Sequence, residues 1–156
     1  MAKKITTDKD RALSKLQKYC AYQERCHQEV RSKLIALKIY GYDLEEIIAE
    51  LISENFLNEE RFAKAYAGGK FRMKNWGKIR IKMELKKRNI SPYCIKKAMQ
   101  EIDEEGYMEG LYKVIEKKMR TEKEKNEFKL KGKLAKHAIR KGFEPHLVWQ
   151  ALKDFF

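Results

Sequence analysis

The chain has 156 residues and a formal net charge of +13, with 43% hydrophobic and 38% charged side chains. This length and apolar content suffice for one ordinary domain or for several small units that share a core. The three cysteines, without a C-x-x-C pair, are too few for a disulfide scaffold. No apolar run approaches the roughly 18 residues of a membrane span.

The N-terminal run MAKKITTDKDRAL lacks the apolar stretch of a secretory signal peptide. Reduced thiols and the absence of a membrane span agree with this feature. We therefore expect a cytoplasmic protein that does not associate with membranes.

Positive charge is concentrated in blocks along the chain. Residues 1–62 carry equal numbers of basic and acidic side chains, whereas residues 63–99 carry a net +11 and residues 111–141 a net +8. Blocks of one sign favour a polyanionic partner, most often nucleic acid. A basic, solubilising surface is the alternative, but solubility alone does not require clustering.

Three places in the chain share one local pattern, in which a helix-ending residue precedes an apolar residue and a helix-capping residue. The three turns are Gly41-Tyr42-Asp43, Asn89-Ile90-Ser91 and Gly142-Phe143-Glu144. Gly and Asn tolerate the left-handed conformation that ends helices, and Asp or Ser can cap the next helix. The turns recur about every 50 residues, which is typical of helical arrays.

Each of these helix pairs follows a further helical segment, over residues 9–24, 58–73 and 107–120. We therefore predict an all-α protein of three tandem three-helix repeats. The predicted repeats are residues 1–57, 58–104 and 105–156.

The stretch WGKIRIKMELKKR, residues 76–88, tests this prediction because its apolar and polar residues alternate as in a β-strand. Its composition favours a helix, and no partner strand is visible elsewhere. We predict the middle helix of the second repeat. On a helix, Ile79 and Met83 lie opposite Ile81 and Leu85, so we expect both sides to be buried.

Sites for catalysis, metals or cofactors are not indicated. The histidines His27, His137 and His146 lie far apart, and no four ligands occur at zinc-site spacing. Gly68-Gly69 lacks the context of a phosphate-binding loop and falls inside a predicted helix. We predict a protein that is not an enzyme and that uses no metal or cofactor.

The basic side chains of residues 70–97 and 113–141 are the remaining functional signal. The acids Glu116, Glu122 and Glu124 interleave residues 113–125, which favours a solvated face there. Glu84 is the single acid of residues 70–88. The predicted binding residues are Arg72, Lys74, Lys78, Arg80, Lys82, Lys86, Lys87 and Arg88, with Lys131, Lys133, Lys136, Arg140 and Lys141 as a second patch.

The run ENFLNEERFAKAYAGGKFRMKNWGKIRIKMELKKRNIS, residues 54–91, resembles the signature region of RecX proteins, bacterial regulators of the RecA recombinase. QEVRSKL (28–34) and KLAKHAIRKGF (133–143) resemble the family's first-unit and third-unit motifs. Asn89 stands where the family usually has Gly, and the helix before Gly41 is about three residues longer than usual, which leaves the first-unit register open.

The resemblance implies an elongated, curved molecule of three three-helix repeats. It implies a negative regulator that binds the RecA filament on single-stranded DNA and limits its growth, ATP hydrolysis and strand exchange. That role belongs to homologous recombination, DNA repair and the SOS response. The implied partners are RecA and single-stranded DNA, with double-stranded DNA left open, and we expect a monomer. A general DNA- or RNA-binding helical module is the alternative.

Overall fold

The structure is a computed structural model that describes residues 7–156, so residues 1–6, where the N-terminal run and the predicted first repeat begin, lie outside it. Over residues 7–156 the chain forms nine α-helices and a short 3₁₀-helix, with no strand. The helices are α1 (Asp8–Tyr22), α2 (His27–Ala36), α3 (Gly41–Ser53), α4 (Glu59–Lys74), α5 (Lys78–Lys87), α6 (Pro92–Met99), α7 (Glu104–Thr121), α8 (Glu127–Arg140) and α9 (Pro145–Leu152). The predicted all-α class is confirmed.

Two predicted helix starts in the second repeat are confirmed by their caps. The Asn58 side chain accepts a hydrogen bond from the Arg61 N–H at 2.8 Å, at the start of α4. The Ser91 hydroxyl accepts one from the Cys94 N–H at 3.3 Å, at the start of α6. These bonds satisfy backbone donors that the first helical turn leaves without an intrahelical partner.

The predicted turn at Gly41-Tyr42-Asp43 is wrong by three residues. Helix α2 ends earlier, and Lys38 takes the left-handed position with φ 62°. The N–H of Ile39 then donates to the Leu34 carbonyl at 3.0 Å. Helix α3 begins at Gly41 with Tyr40 as its N-cap, so Asp43 is not the cap.

The corrected turn matches the other two in detail. The N–H groups of Ile90 and Phe143 donate to the carbonyls of Leu85 and Ala138, both at 3.2 Å, as Ile39 does to Leu34. This bond joins the residue after the left-handed position to a carbonyl in the last helical turn, as in a Schellman motif. The extra length before Gly41 therefore belongs to the turn and the start of α3.

Residues 78–87 form helix α5, as predicted against their alternating pattern. The expectation that two sides of this helix are buried is wrong. Ile81 and Leu85 are fully buried, but Ile79 is 47% exposed and Met83 is 50% exposed. The core covers one face of α5. The opposite face of α5, here called its outer face, exposes these two apolar side chains to solvent.

Buried side chains form two clusters. The first joins α1, α2 and α3 around residues such as Leu16, Leu34 and Leu51. The second runs continuously through α4–α9 and includes Phe62 and Leu152 as well as Ile81 and Leu85, whose burial was predicted. The three-repeat division at residues 57/58 and 104/105 remains our proposal.

A backbone contact between two glycines joins α5 to the end of α8. The Gly77 N–H donates to the Lys141 carbonyl at 2.8 Å, and the Ile79 N–H donates to the Gly142 carbonyl at 3.0 Å. A Cβ atom on Gly77 would lie 2.2 Å from the Gly142 carbonyl carbon. Only glycine at residue 77 permits this approach, and Gly142, with φ 103°, needs glycine for its backbone conformation as well.

Candidate polyanion-binding surface

The predicted basic residues of α4 and α5 divide into paired and unpaired groups. Lys87 and Arg88 both contact Glu84, at 3.2 Å and 3.1 Å. These cations hold the pKa of the Glu84 carboxyl below its usual value, with Arg88 the larger influence. The remaining six predicted residues of this patch form no ion pair with a described residue. They are Arg72, Lys74, Lys78, Arg80, Lys82 and Lys86.

The second predicted patch divides in the same way. Lys131 pairs with Glu127 at 3.4 Å. Lys133 lies between two carboxylates, at 3.5 Å from Glu122 and 3.3 Å from Glu124. The other members of this patch, Lys136, Arg140 and Lys141, form no ion pair with a residue that the structure describes.

Trp76 is a packing residue, and its ring also contacts cations. It lies partly buried against the second core cluster. The Arg80 guanidinium carbon lies 4.1 Å from the ring centre, and the Lys70 ammonium lies 5.1 Å from it. Cations over an aromatic face are stabilised by the ring quadrupole, so Trp76 orients Arg80 and Lys70 instead of presenting a bare stacking face.

The glycine contact brings together cations that the sequence had placed in separate patches. The Lys141 ammonium donates to the Lys74 carbonyl at 3.0 Å, which fixes the end of α8 against the end of α4. Partial burial lowers the pKa of Lys141, and the neighbouring charges of Arg80, Lys117 and Lys74 lower it further. The two predicted patches therefore meet at the junction of α4, α5 and α8.

Beside this junction lies an open cleft of about 770 Å³, here named the junction cleft. Its lining residues are Asn75, Lys113, Val114, Glu116, Lys117, Lys118, Arg120, Thr121, His137 and Lys141. Partial burial, followed by the charges of Lys118, Lys141 and Arg140, lowers the pKa of His137.

The contribution of α7 to this cleft was missed in the sequence. The predicted solvated face is correct for Arg120, which pairs with Glu116 at 2.7 Å, and for Lys118, which lies 3.8 Å from Glu122. Lys113 and Lys117, however, pair with no described acid. Their spacing of four residues, which places both on one helix face, was the available signal.

The described chain, residues 7–156, shows neither a metal site nor a membrane span. No group of three or more metal-ligating side chains is assembled there. None of the helices in that part of the chain is long and apolar enough to cross a membrane.

Two family models together match most of residues 58–156. RecX, second three-helix domain, matches residues 58–99, and RecX, third three-helix domain, matches residues 105–152. Among solved structures, the crystal structure of RecX from Lactobacillus salivarius superimposes with a TM-score of 0.83 at 22% identity. That superposition covers 94% of this chain and 96% of the other.

Curated relatives extend the similarity to the first helices. Regulatory protein RecX of Lactococcus lactis is 33% identical over 128 residues, which cover 80% of this chain and 47% of the relative. That of Bacillus cytotoxicus is 26% identical over 87% of this chain and 50% of its own length. Regulatory protein RecX of Clostridium acetobutylicum is 28% identical over 95% of this chain and 68% of its own length. The chain spans about half the length of the first two relatives.

Proposed function

The chain belongs to the RecX family, and from that premise we propose that it is a negative regulator of RecA. It binds the RecA filament on single-stranded DNA and limits filament growth, ATP hydrolysis and strand exchange. Its place is then in homologous recombination, DNA repair and the SOS response, in the cytoplasm and as a monomer. The observation that carries the proposal is the family match over the second and third three-helix domains.

This role requires a binding surface and no catalytic group. A filament grows at its ends, so a protein that occupies filament subunits or their DNA can limit growth without chemistry. The unpaired cations of α4, α5 and α8, among them Lys82 and Arg140, give such a surface. Clustered cations attract phosphate backbones and acidic protein patches and accelerate association with both. The proposal is therefore a regulator that is not an enzyme and needs no cofactor.

The outer face of α5 supports a protein partner as well as a nucleic acid. Ile79 and Met83 are half exposed one helical turn apart, beside the exposed cations Lys82 and Lys86. Apolar side chains contribute to protein interfaces through burial, whereas a phosphate backbone gains little from them. An acidic protein surface with an apolar centre fits this face.

The test is the ATPase activity of RecA on single-stranded DNA while this protein is titrated in. A regulator that acts on growing filaments inhibits at protein-to-RecA ratios well below one. The control is the same titration with excess single-stranded DNA, which relieves inhibition that arises from DNA sequestration. Inhibition that needs near-equimolar protein and disappears with excess DNA would contradict the proposal.

The second candidate is a general DNA- or RNA-binding helical module. The charge blocks of residues 63–99 and 111–141 favour it, because they require only a polyanion. In the same titration this candidate predicts DNA binding without sub-stoichiometric inhibition of RecA.

A further inference from the structure

The junction cleft concentrates positive charge that the fold does not neutralise. Lys113 and Lys117 of α7 face Lys141 at the end of α8 across the cleft. Lys74 and Arg80 stand close enough to Lys141 to disfavour its charged form. Like charges held together are unfavourable in the free protein, and a bound anion removes that cost.

We propose that the junction cleft binds the phosphate backbone of a single-stranded nucleic acid, and that cations of two repeats contact this backbone at once. The cationic groups that do this are Lys74, Arg80, Lys113, Lys117 and Lys141. The choice of single-stranded DNA as the occupant rests on the proposed function, in which the protein acts on RecA filaments that contain it. The site exists only while the Gly77–Gly142 contact keeps α5 against α8.

The lining of the cleft favours a nucleic acid over an acidic protein. Among the residues that the structure describes, Val114 is its single aliphatic or aromatic lining residue, and it is only 4% exposed. Protein interfaces depend on large aromatic or aliphatic anchors that fill pockets, and this cleft offers none. Phosphate recognition needs only cations and polar donors, and Asn75 and Thr121 add polar groups to the rim.

The open shape favours a polymer over a single phosphate. Small-ligand sites enclose most of their ligand, whereas this cleft is open. Its lining cations come from α7 and the end of α8, and Lys74 of α4 and Arg80 of α5 lie beside Lys141. Lys113 and Lys117 lie one helical turn apart on α7, and Lys74, Arg80 and Lys141 stand together at the junction. Separated cations along an open channel suit a chain of phosphates.

Three matched double variants test this location, and each removes two positive charges. Lys113→Ala with Lys117→Ala changes the cleft, and Lys82→Ala with Lys86→Ala changes the outer face of α5. Lys15→Ala with Lys18→Ala changes exposed lysines of α1 that form no ion pair with a described residue, and it is the control. The readout is fluorescence anisotropy of labelled oligo(dT) over a series of salt concentrations, with circular dichroism to verify folding.

The cleft variant is expected to flatten the log–log salt slope by about 1.4, since each single-strand phosphate contact contributes about 0.7. The control is expected to leave the slope unchanged. A cleft variant that behaves like the control, or a flattened slope in the α5 variant alone, overturns the proposal. Polyglutamate that displaces oligo(dT) as effectively per charge as unlabelled oligo(dT) also overturns it, because the cleft would then accept any acidic polymer.

The RecA titration separates this inference from the proposed function. If the unaltered protein binds oligo(dT) through the cleft but does not inhibit RecA, the proposed function fails and the site stands. If it inhibits RecA while the cleft variant keeps full oligo(dT) binding and its salt slope, the site fails and the function stands.

Discussion

Tyr107 of α7 shows how one side chain connects three helices, α5, α7 and α9. Its hydroxyl accepts a hydrogen bond from the Lys78 N–H at 2.9 Å, at the first turn of α5, and donates one to the Glu144 carboxylate before α9. The ring is 2% exposed and stacks on Phe143, with ring centres 5.1 Å apart. Burial, followed by the Glu144 carboxylate, raises the pKa of Tyr107, so the hydroxyl remains a donor at physiological pH.

Tyr107→Phe is expected to destabilise the protein by about 1–3 kcal/mol. The change leaves the Lys78 N–H, a helix-terminal donor, without its partner in a partly buried position. The measurement is the free energy of unfolding in denaturant. The matched control is Tyr112→Phe, whose exposed hydroxyl contacts Asp154, and a change within about 0.5 kcal/mol is expected there. Equal losses for the two variants would contradict the assigned role.

At the scale of the element, local sequence signals predicted the positions of the helices better than they predicted which side chains are exposed. Caps such as Asn58 and Ser91 can be recognised in a sequence because capping depends on residues within one helical turn. The turn after α2 was misplaced because Lys38 takes the left-handed position that ends α2, whereas Gly41, which is left-handed as well with φ 57°, begins α3. Burial of the Ile79 side of α5 was predicted wrongly because exposure depends on which neighbouring helices pack there.

The junction cleft lay beyond sequence reasoning for a related reason. The two predicted basic patches were assigned to α4–α5 and α8, but their meeting depends on the contact between Gly77 and Gly142. Each glycine has an adequate local explanation as a turn residue, so neither indicates the other. Lys113 was assigned to a solvated face because acidic residues lie near it in the sequence. Whether a lysine pairs with such an acid depends on side-chain direction as well as on sequence spacing.

Gly77→Ala is expected to loosen the contact between α5 and α8. The added methyl group would stand 2.2 Å from the Gly142 carbonyl carbon, so the backbone must shift. We expect a loss of unfolding free energy of about 1–3 kcal/mol, as for overpacked cores. The control is Gly69→Ala in α4, where a Cβ atom meets nothing within 4 Å. That change is expected to stabilise the helix by up to about 1 kcal/mol. A harmless Gly77→Ala would contradict the contact.

At the scale of the whole molecule, the two core clusters imply unequal coupling along the chain. The first cluster lies within residues 12–57, and the second extends from Cys26 through α9. An ion pair, here called the polar bridge, joins the two parts. The Arg61 Nε lies 2.6 Å from the Glu24 carboxylate in it. In helical arrays, stability is approximately a sum of repeat terms and nearest-neighbour interface terms. The first three helices should therefore open separately from α4–α9, while α4–α9 open together.

Hydrogen exchange can test this division with two core variants. Leu16→Ala in the first cluster and Leu111→Ala in the second each truncate a fully buried side chain, at an expected cost of about 2–5 kcal/mol. Leu16→Ala should speed amide exchange in α1–α3 and leave rates in α7–α9 nearly unchanged, because the clusters share no buried residue. Leu111→Ala should speed exchange throughout α4–α9, since that cluster is continuous. If Leu16→Ala speeds exchange in α9 as much as in α1, the molecule opens as one unit. In that case the polar bridge at Arg61 couples the first three helices to the rest as strongly as the shared core couples α4 to α9.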